Sequence, residues 1–224
     1  MLASGLFNLE LIRSIFPLYK LSPLISYRML ELDFDGGYFE HFQYILLLWC
    51  FILSSSWIIS KKYWEGFYIS LIYLYLFIDD VFRIHDGFLS LYLSNLFEGN
   101  FISDQQIIRV KDFGELSYWA VVFFVLATTL IPIYKKSKYT IKKFIKQNFT
   151  IFFSLAFFGL VIDLIGANWY RWIPIKSDFL IRLITIFLIL FEECGEILVI
   201  SFACIWLFSI NFSNSIEENE KTFK

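Results

Sequence analysis

Carboxylates stand inside the longest apolar runs of this 224-residue chain. Asp79 and Asp80 interrupt one run, Asp163 a second, and Glu192, Glu193 and Glu196 a third. An ionised side chain in hydrocarbon costs several kcal/mol, so such residues face a bundle interior, pair with one another or line an ion path. Three kinds of chemistry are open to them: exchange of protons, retention of a cation, or ligation of a metal.

Spacing narrows these readings. Asp79, Arg83 and Asp86 recur at helical intervals and share one face, which places Arg83 beside Asp79 as a neutralising partner. Asp80 and His85 are five apart and point elsewhere. Glu192 and Glu196 share a face, as Glu193 and Glu196 nearly do. A salt-bridge network is the structural alternative, with Arg171, Lys176 or Arg182 serving acids that Arg83 does not reach. Against it stands the count: Asp79, Asp80, Asp86, Glu115, Asp163, Glu192, Glu193 and Glu196 face one arginine within the same segments. The excess must bind a cation, hold protons or meet water. For a metal, the ligands read from the sequence are His85, Asp86, Glu193 and Glu196, a set of oxygens and imidazole that suits Mn, Fe or Zn. The paired Glu-x-x-His pattern of di-iron bundles is not met. Two histidines in the whole chain exclude the histidine-rich oxygenases. No Gly-rich phosphate loop or serine elbow is present, so no catalytic residue is nominated and the balance leans away from an enzyme. The cofactor expectation is confined to a bound cation.

Stepping from these residues to the elements that carry them, 58% of the chain is hydrophobic and 18% charged. Soluble domains carry about a quarter charged residues. The fold class that follows is all-α, a polytopic integral membrane bundle of about five transmembrane helices with an N-terminal amphipathic interfacial segment. The organisation predicted is an interfacial segment over 1–41, the bundle over 42–210 and a polar cytoplasmic tail over 211–224. Spans are expected from Phe42 to Ser60, from Trp64 with helical character continuing to about Phe97, from Phe113 to Tyr134, from Phe149 to Trp169, and from Phe179 to Ile210. The last is long enough to protrude or to break near Cys194-Gly195, and a continuous helix is the preferred reading. A cleavable signal peptide is not expected, since Glu10 and Arg13 interrupt the first apolar stretch.

Lys61-Lys62 and the lysine-rich loop of Lys135, Lys136, Lys138, Lys142, Lys143 and Lys146 set the orientation by the positive-inside rule: amino terminus outside, carboxyl terminus cytoplasmic. Counting about 1.5 Å per residue from the cytoplasmic ends brings Asp79, Asp163 and Glu196 to about 21–22 Å depth, an inner ring on three helices. His85, Asp86, Glu115, Glu192 and Glu193 form an entrance nearer the outer face. The function this predicts is a small multi-pass protein whose outward-side acidic cluster conducts, transports or senses cations or protons. The alternative is a membrane-anchored scaffold whose lysines contact lipid or a cytosolic partner, as in bacterial phage defence. The expected partners are the lipid bilayer, further copies of the chain and a cytosolic protein, with no nucleic acid. Abundant Phe, Ile, Tyr, Lys and Asn point to a bacterial inner membrane. Cys50, Cys194 and Cys204 read as small packing residues, not as a disulfide framework.

Overall fold

The computed structural model describes residues 37–85, 110–173 and 177–222. The interfacial segment expected over 1–41 therefore lies almost wholly outside the described residues, as do Asp86, Lys176 and the stretch to Phe97. Among the described residues the fold is all-α, with no strand.

Helix α1 covers Tyr38–Lys61 and begins four residues before the apolar run. It ends where Lys62 turns left-handed at φ 56°, and the amide of Tyr63 returns to the Ile58 carbonyl at 2.9 Å. This closure, with a left-handed residue just past the last turn, satisfies carbonyls that the helix end would orphan. A tight turn at Trp64–Gly66 leads into α2, Phe67–Phe82. The sequence predicts helical character to about Phe97, but α2 stops at Phe82. Arg83 takes φ 50°, and the amide of Ile84 bonds the Asp79 carbonyl at 3.1 Å. The same closure thus recurs at the other end of the hairpin.

Helix α3, Val110–Lys136, and helix α4, Tyr139–Ala156, are separated only by Ser137 and Lys138. The expected lysine-rich loop is therefore two helix ends: Lys135 and Lys136 close α3, while Lys142, Lys143 and Lys146 lie on the first turns of α4. Helix α4 passes without interruption through a π-helical segment, Phe157–Ile162, into α5, Asp163–Trp172. The chain finishes in α6, Asp178–Thr222, a helix of 45 residues continuous through Cys194-Gly195 and beyond Ile210. Three stretches are long and apolar enough to cross a membrane: Tyr38–Lys61, Asp112–Lys136 and Tyr139–Tyr170. The 16 described residues of α2 and the glutamate-bearing α6 are outside that group.

Helix α1 packs on α2 and α6, and α6 runs along α4, the π-helical segment and α5. Trp57 of α1 stacks on Phe144 of α4 with ring centroids 4.4 Å apart, and Phe144 in turn meets Trp206 of α6. Gly66 lies against Ile58 and Ile141, which holds the Lys61-Lys62 corner beside the start of α4. Both lysine clusters therefore sit at one end of the bundle. Tyr73 donates a buried hydrogen bond to Asn148 Oδ1 at 2.8 Å. The outward faces remain apolar: Phe124 is 71% exposed, Ile205 69% and Phe202 65%. Faces of this kind call for an apolar solvent rather than water.

Two glycines let α6 close on the π-helical segment. A Cβ on Gly195 would fall on the Phe158 ring, and one on Gly159 would fall on the Glu196 carboxylate. Each helix thus sends a large side chain onto the neighbour's glycine. Gly195→Ala should overpack this crossing and cost about 1–3 kcal/mol, seen as a lowered midpoint of thermal unfolding in detergent. An unchanged midpoint would show that the two helices do not meet there.

Candidate functional site

One face of each helix changes character along its length. On α1 the face reads Glu40, Gln43, Leu47; on α2 it reads Asp80, Leu76, Ile72; on α3 it reads Asp112, Glu115, Trp119, Phe123, Leu126. On α6 it reads Glu192, Glu193, Glu196, Ile200. These faces converge on a cavity of about 360 Å³. The apolar members, Leu47, Ile72, Leu126, Phe152 and Ile200, belong to the stretches nearer the lysine corners. The acidic members gather at the opposite end. Their spacing is the helical interval of three and four, so the chamber follows from the register of each segment.

Among the described residues, the walls hold eight carboxylates: Glu40, Asp80, Asp112, Glu115, Asp163, Glu192, Glu193 and Glu196. They hold two basic groups, Arg83 and His85. Arg83 pairs with Glu40 across the helix hairpin at 3.3 Å, and not by helical spacing with Asp79 as the sequence suggests. The reason is the left-handed turn, which removes Arg83 from the α2 face before it can stack over Asp79. Gln43 donates to Glu196 Oε2 at 2.7 Å. Asn168 of α5 donates to Asp112 Oδ2 at 2.7 Å, with both residues buried.

Asp79 is fully buried behind the chamber wall, not on it. Its Oδ2 lies 2.7 Å from His85 Nδ1, and its Oδ1 accepts the Tyr118 hydroxyl at 2.7 Å. Tyr118 also bonds the hydroxyl of Tyr75, one turn before Asp79 on α2. The chain Tyr75, Tyr118, Asp79, His85 therefore links the α2–α3 contact to the cavity. Helical extrapolation sends Asp80 and His85 in different directions. The turn reverses this, and ligand atoms of Asp79, Asp80 and His85 lie within 4.8 Å of one another.

Of the residues singled out from the sequence, Asp80, Arg83, His85, Glu115, Asp163, Glu192, Glu193 and Glu196 line this single chamber. The separate inner ring and entrance are not resolved as two layers: Asp163 and Glu196 share the chamber with His85, Glu115, Glu192 and Glu193, while Asp79 stands behind it. Of the metal set His85, Asp86, Glu193 and Glu196, three line the cavity and Asp86 is outside the described residues. The other histidine, His41, bonds the Gly37 carbonyl at 2.8 Å. Gln43, Asp112, Tyr75 and Tyr118 escaped the sequence reading. Gln43 was detectable in principle, three residues from Glu40 within an apolar run, and Tyr75 stands four before Asp79. Asp112 and Tyr118 stand three residues to either side of Glu115, but their partners Asn168 and Asp79 lie on other helices, so their roles are not visible locally.

The π-helical segment directly precedes Asp163. An extra residue in one turn shifts the phase of everything after it, and such segments recur at functional sites. It brings Gly159, Leu160 and Asp163 to the cavity together.

Comparison of the chain with known protein families, with curated proteins and with solved structures finds no match. The fold and chamber therefore define a class only: an all-α protein with apolar helices of membrane-crossing length around an acidic cavity.

Tyr118→Phe removes the donor to Asp79 Oδ1 and the link to Tyr75. Leaving a buried carboxylate short of one hydrogen bond costs about 1–3 kcal/mol. Thermal unfolding in detergent should fall accordingly, whereas Tyr139→Phe, at an exposed position, should leave it unmoved. Equal midpoints for the two variants would remove Asp79 as the join between α2 and α3.

Proposed function

We propose that this chain is an integral membrane protein whose acidic chamber, open toward the outer side, binds and transports cations or protons. The observation that carries this reading is the charge count of the walls, eight carboxylates against Arg83 and His85. Two like charges about 6 Å apart repel by about 3 kcal/mol at an effective dielectric near 20. A chamber so lined is stable only when protons or cations occupy it.

The apolar floor argues for a closed-ended chamber, as a carrier or sensor would have, over a continuous pore. Its orientation is supported by the lysines. Lys138, Lys142 and Lys143 crowd the N-terminus of α4, where a cation opposes the helix dipole, and α4 has no acid in its first turn. Their placement is explained by retention on the cytoplasmic side, which puts the acidic end outside. The lysines would also meet anionic lipid headgroups. The bacterial inner membrane and assembly with further copies of the chain belong to the same proposal.

A second reading, a membrane-anchored scaffold for a cytosolic protein, draws on α6. At about 1.5 Å per residue its 45 residues reach about 68 Å, far beyond a hydrocarbon core of about 30 Å. A projecting helix beside a lysine-rich corner offers a surface to a soluble partner.

In sealed liposomes the wild-type chain should move protons or alkali cations down an imposed gradient. Asp80→Asn and Glu196→Gln should each slow that movement at least tenfold while leaving the gel-filtration profile intact. No flux with wild-type protein, or equal flux in all three, would remove transport. Recovery of a stoichiometric soluble protein with the wild-type chain from native membranes would favour the scaffold.

A further inference from the structure

We propose that Asp80 and His85, the latter positioned by Asp79 behind the wall, form a site for a divalent transition-metal cation in the chamber. This rests on reading the chamber as cation-binding, and it names the class of cation. The three side chains come from the last turn of α2 and the turn that follows it, and their ligand atoms lie within 4.8 Å of one another. Ligands on opposite sides of a metal with bonds of about 2.1 Å are about 4.2 Å apart. The cluster is therefore about the size of the space around one cation.

The internal bonding of the site is that of a metal-ready histidine. Asp79 Oδ2 meets His85 Nδ1 at 2.7 Å, and Asp79 is itself held by Tyr118 and fully buried. A carboxylate on one ring nitrogen fixes the tautomer and raises the basicity of the other, which is how ligating histidines are oriented in metal centres. Asp79 is thereby a positioning residue, with His85 Nε2 and the Asp80 carboxylate as ligands. A second observation concerns Asp80. Among the described residues no donor reaches its carboxylate, although it lines the cavity between His85 and the acidic wall. That carboxylate is the unpartnered group of the cluster, on the wall of the space where a cation would sit.

The donor set selects the metal. One imidazole nitrogen with carboxylate oxygens suits Mn, Fe, Co or Zn and disfavours soft ions such as Cu(I), because no thiolate is present at the site. Water and the facing carboxylate of Glu196 would complete the coordination. Glu196 carries a hydrogen bond from Gln43 that sets its position. Any metal that enters must pass the outer end, since the floor is apolar.

Cobalt(II) alone is the probe, because its visible d–d absorption reports coordination by nitrogen and oxygen. The chelator-treated full chain in detergent should bind close to one equivalent of Co(II) with such a band. His85→Gln and Asp80→Asn should each weaken binding at least tenfold and flatten the band. Asp79→Asn should weaken it while shifting the band, a signature of an altered histidine partner. Glu65→Gln, an exposed carboxylate of the Trp64–Gly66 turn outside the chamber, should leave band and affinity within twofold. Absence of a saturable band in wild-type protein, or equal binding in His85→Gln and wild type, overturns the site. Should one ligand variant fail to fold, the other decides by the same readout. Alkali-cation or proton flux without Co(II) binding would overturn this site and leave the transport reading standing. Co(II) binding without flux would do the reverse.

Discussion

A carboxylate withdrawn completely from solvent must have its charge or its hydrogen-bonding capacity met within the protein, and Asp79 meets that demand from two directions, one of them extended by a further hydroxyl. His85 reaches it from the turn beyond α2, Tyr118 from α3, and Tyr75 through Tyr118. The burial of this one group therefore fixes how α2 ends and where α3 lies. Helix α3 has few close neighbours and a largely exposed apolar surface, so polar ties of this kind carry much of its docking. Asn168 to Asp112 and Tyr68 to Thr129 are further ties of this kind. In an apolar solvent the hydrophobic effect gives little reason for helices to associate, and interhelical hydrogen bonds and close packing take over that work.

The same economy shapes the chamber. Helices that touched along their whole length would have to bury every acid against a neighbour. Here α1, α4 and α6 pack tightly at the lysine end, through Trp57, Phe144 and Trp206, and part toward the acidic end. The crossing at Gly159 and Gly195 holds α6 near the π-helical segment without closing the space beside Glu196. Arg83 and Glu40 form an ion pair on the chamber wall, at 35% and 27% exposure, where it is worth little to stability but restricts geometry.

Much of this was legible in the residues. The all-α class follows from apolar runs longer than any strand, and the candidate site follows from acids that such runs do not tolerate without a purpose. Asp80, Glu115, Asp163, Glu192, Glu193 and Glu196 came to line one cavity because each sat on the helical register its neighbours shared, whereas Arg83 and His85 reach it from the turn beyond α2. The failures cluster at one place. Arg83 was put on the α2 face and His85 away from Asp80, both by extending a helix that stops. Nothing in Asp79-Asp80-Val81-Phe82-Arg83 announces a stop: there is no glycine, asparagine or proline, and arginine at a left-handed position is uncommon. The closure is maintained by what it gains, namely His85 on Asp79 and Arg83 on Glu40, contacts invisible to local propensity. The lysine-rich segment was misread for a related reason, since six lysines look like a loop although only two residues leave the helix.

What the residues alone determined is the periodic part of the molecule: helices, their apolar character, and which runs carboxylates interrupt. These depend on neighbours three or four positions away, within reach of a sequence pattern. Only the tertiary structure decided which acids share a space, that Gln43 and Tyr118 serve them, and that a left-handed turn folds His85 back onto Asp79. Those outcomes depend on side chains beyond helical register, most of them tens of residues apart, satisfying one another's charge and hydrogen bonds. Such balances exist only once the helices are packed.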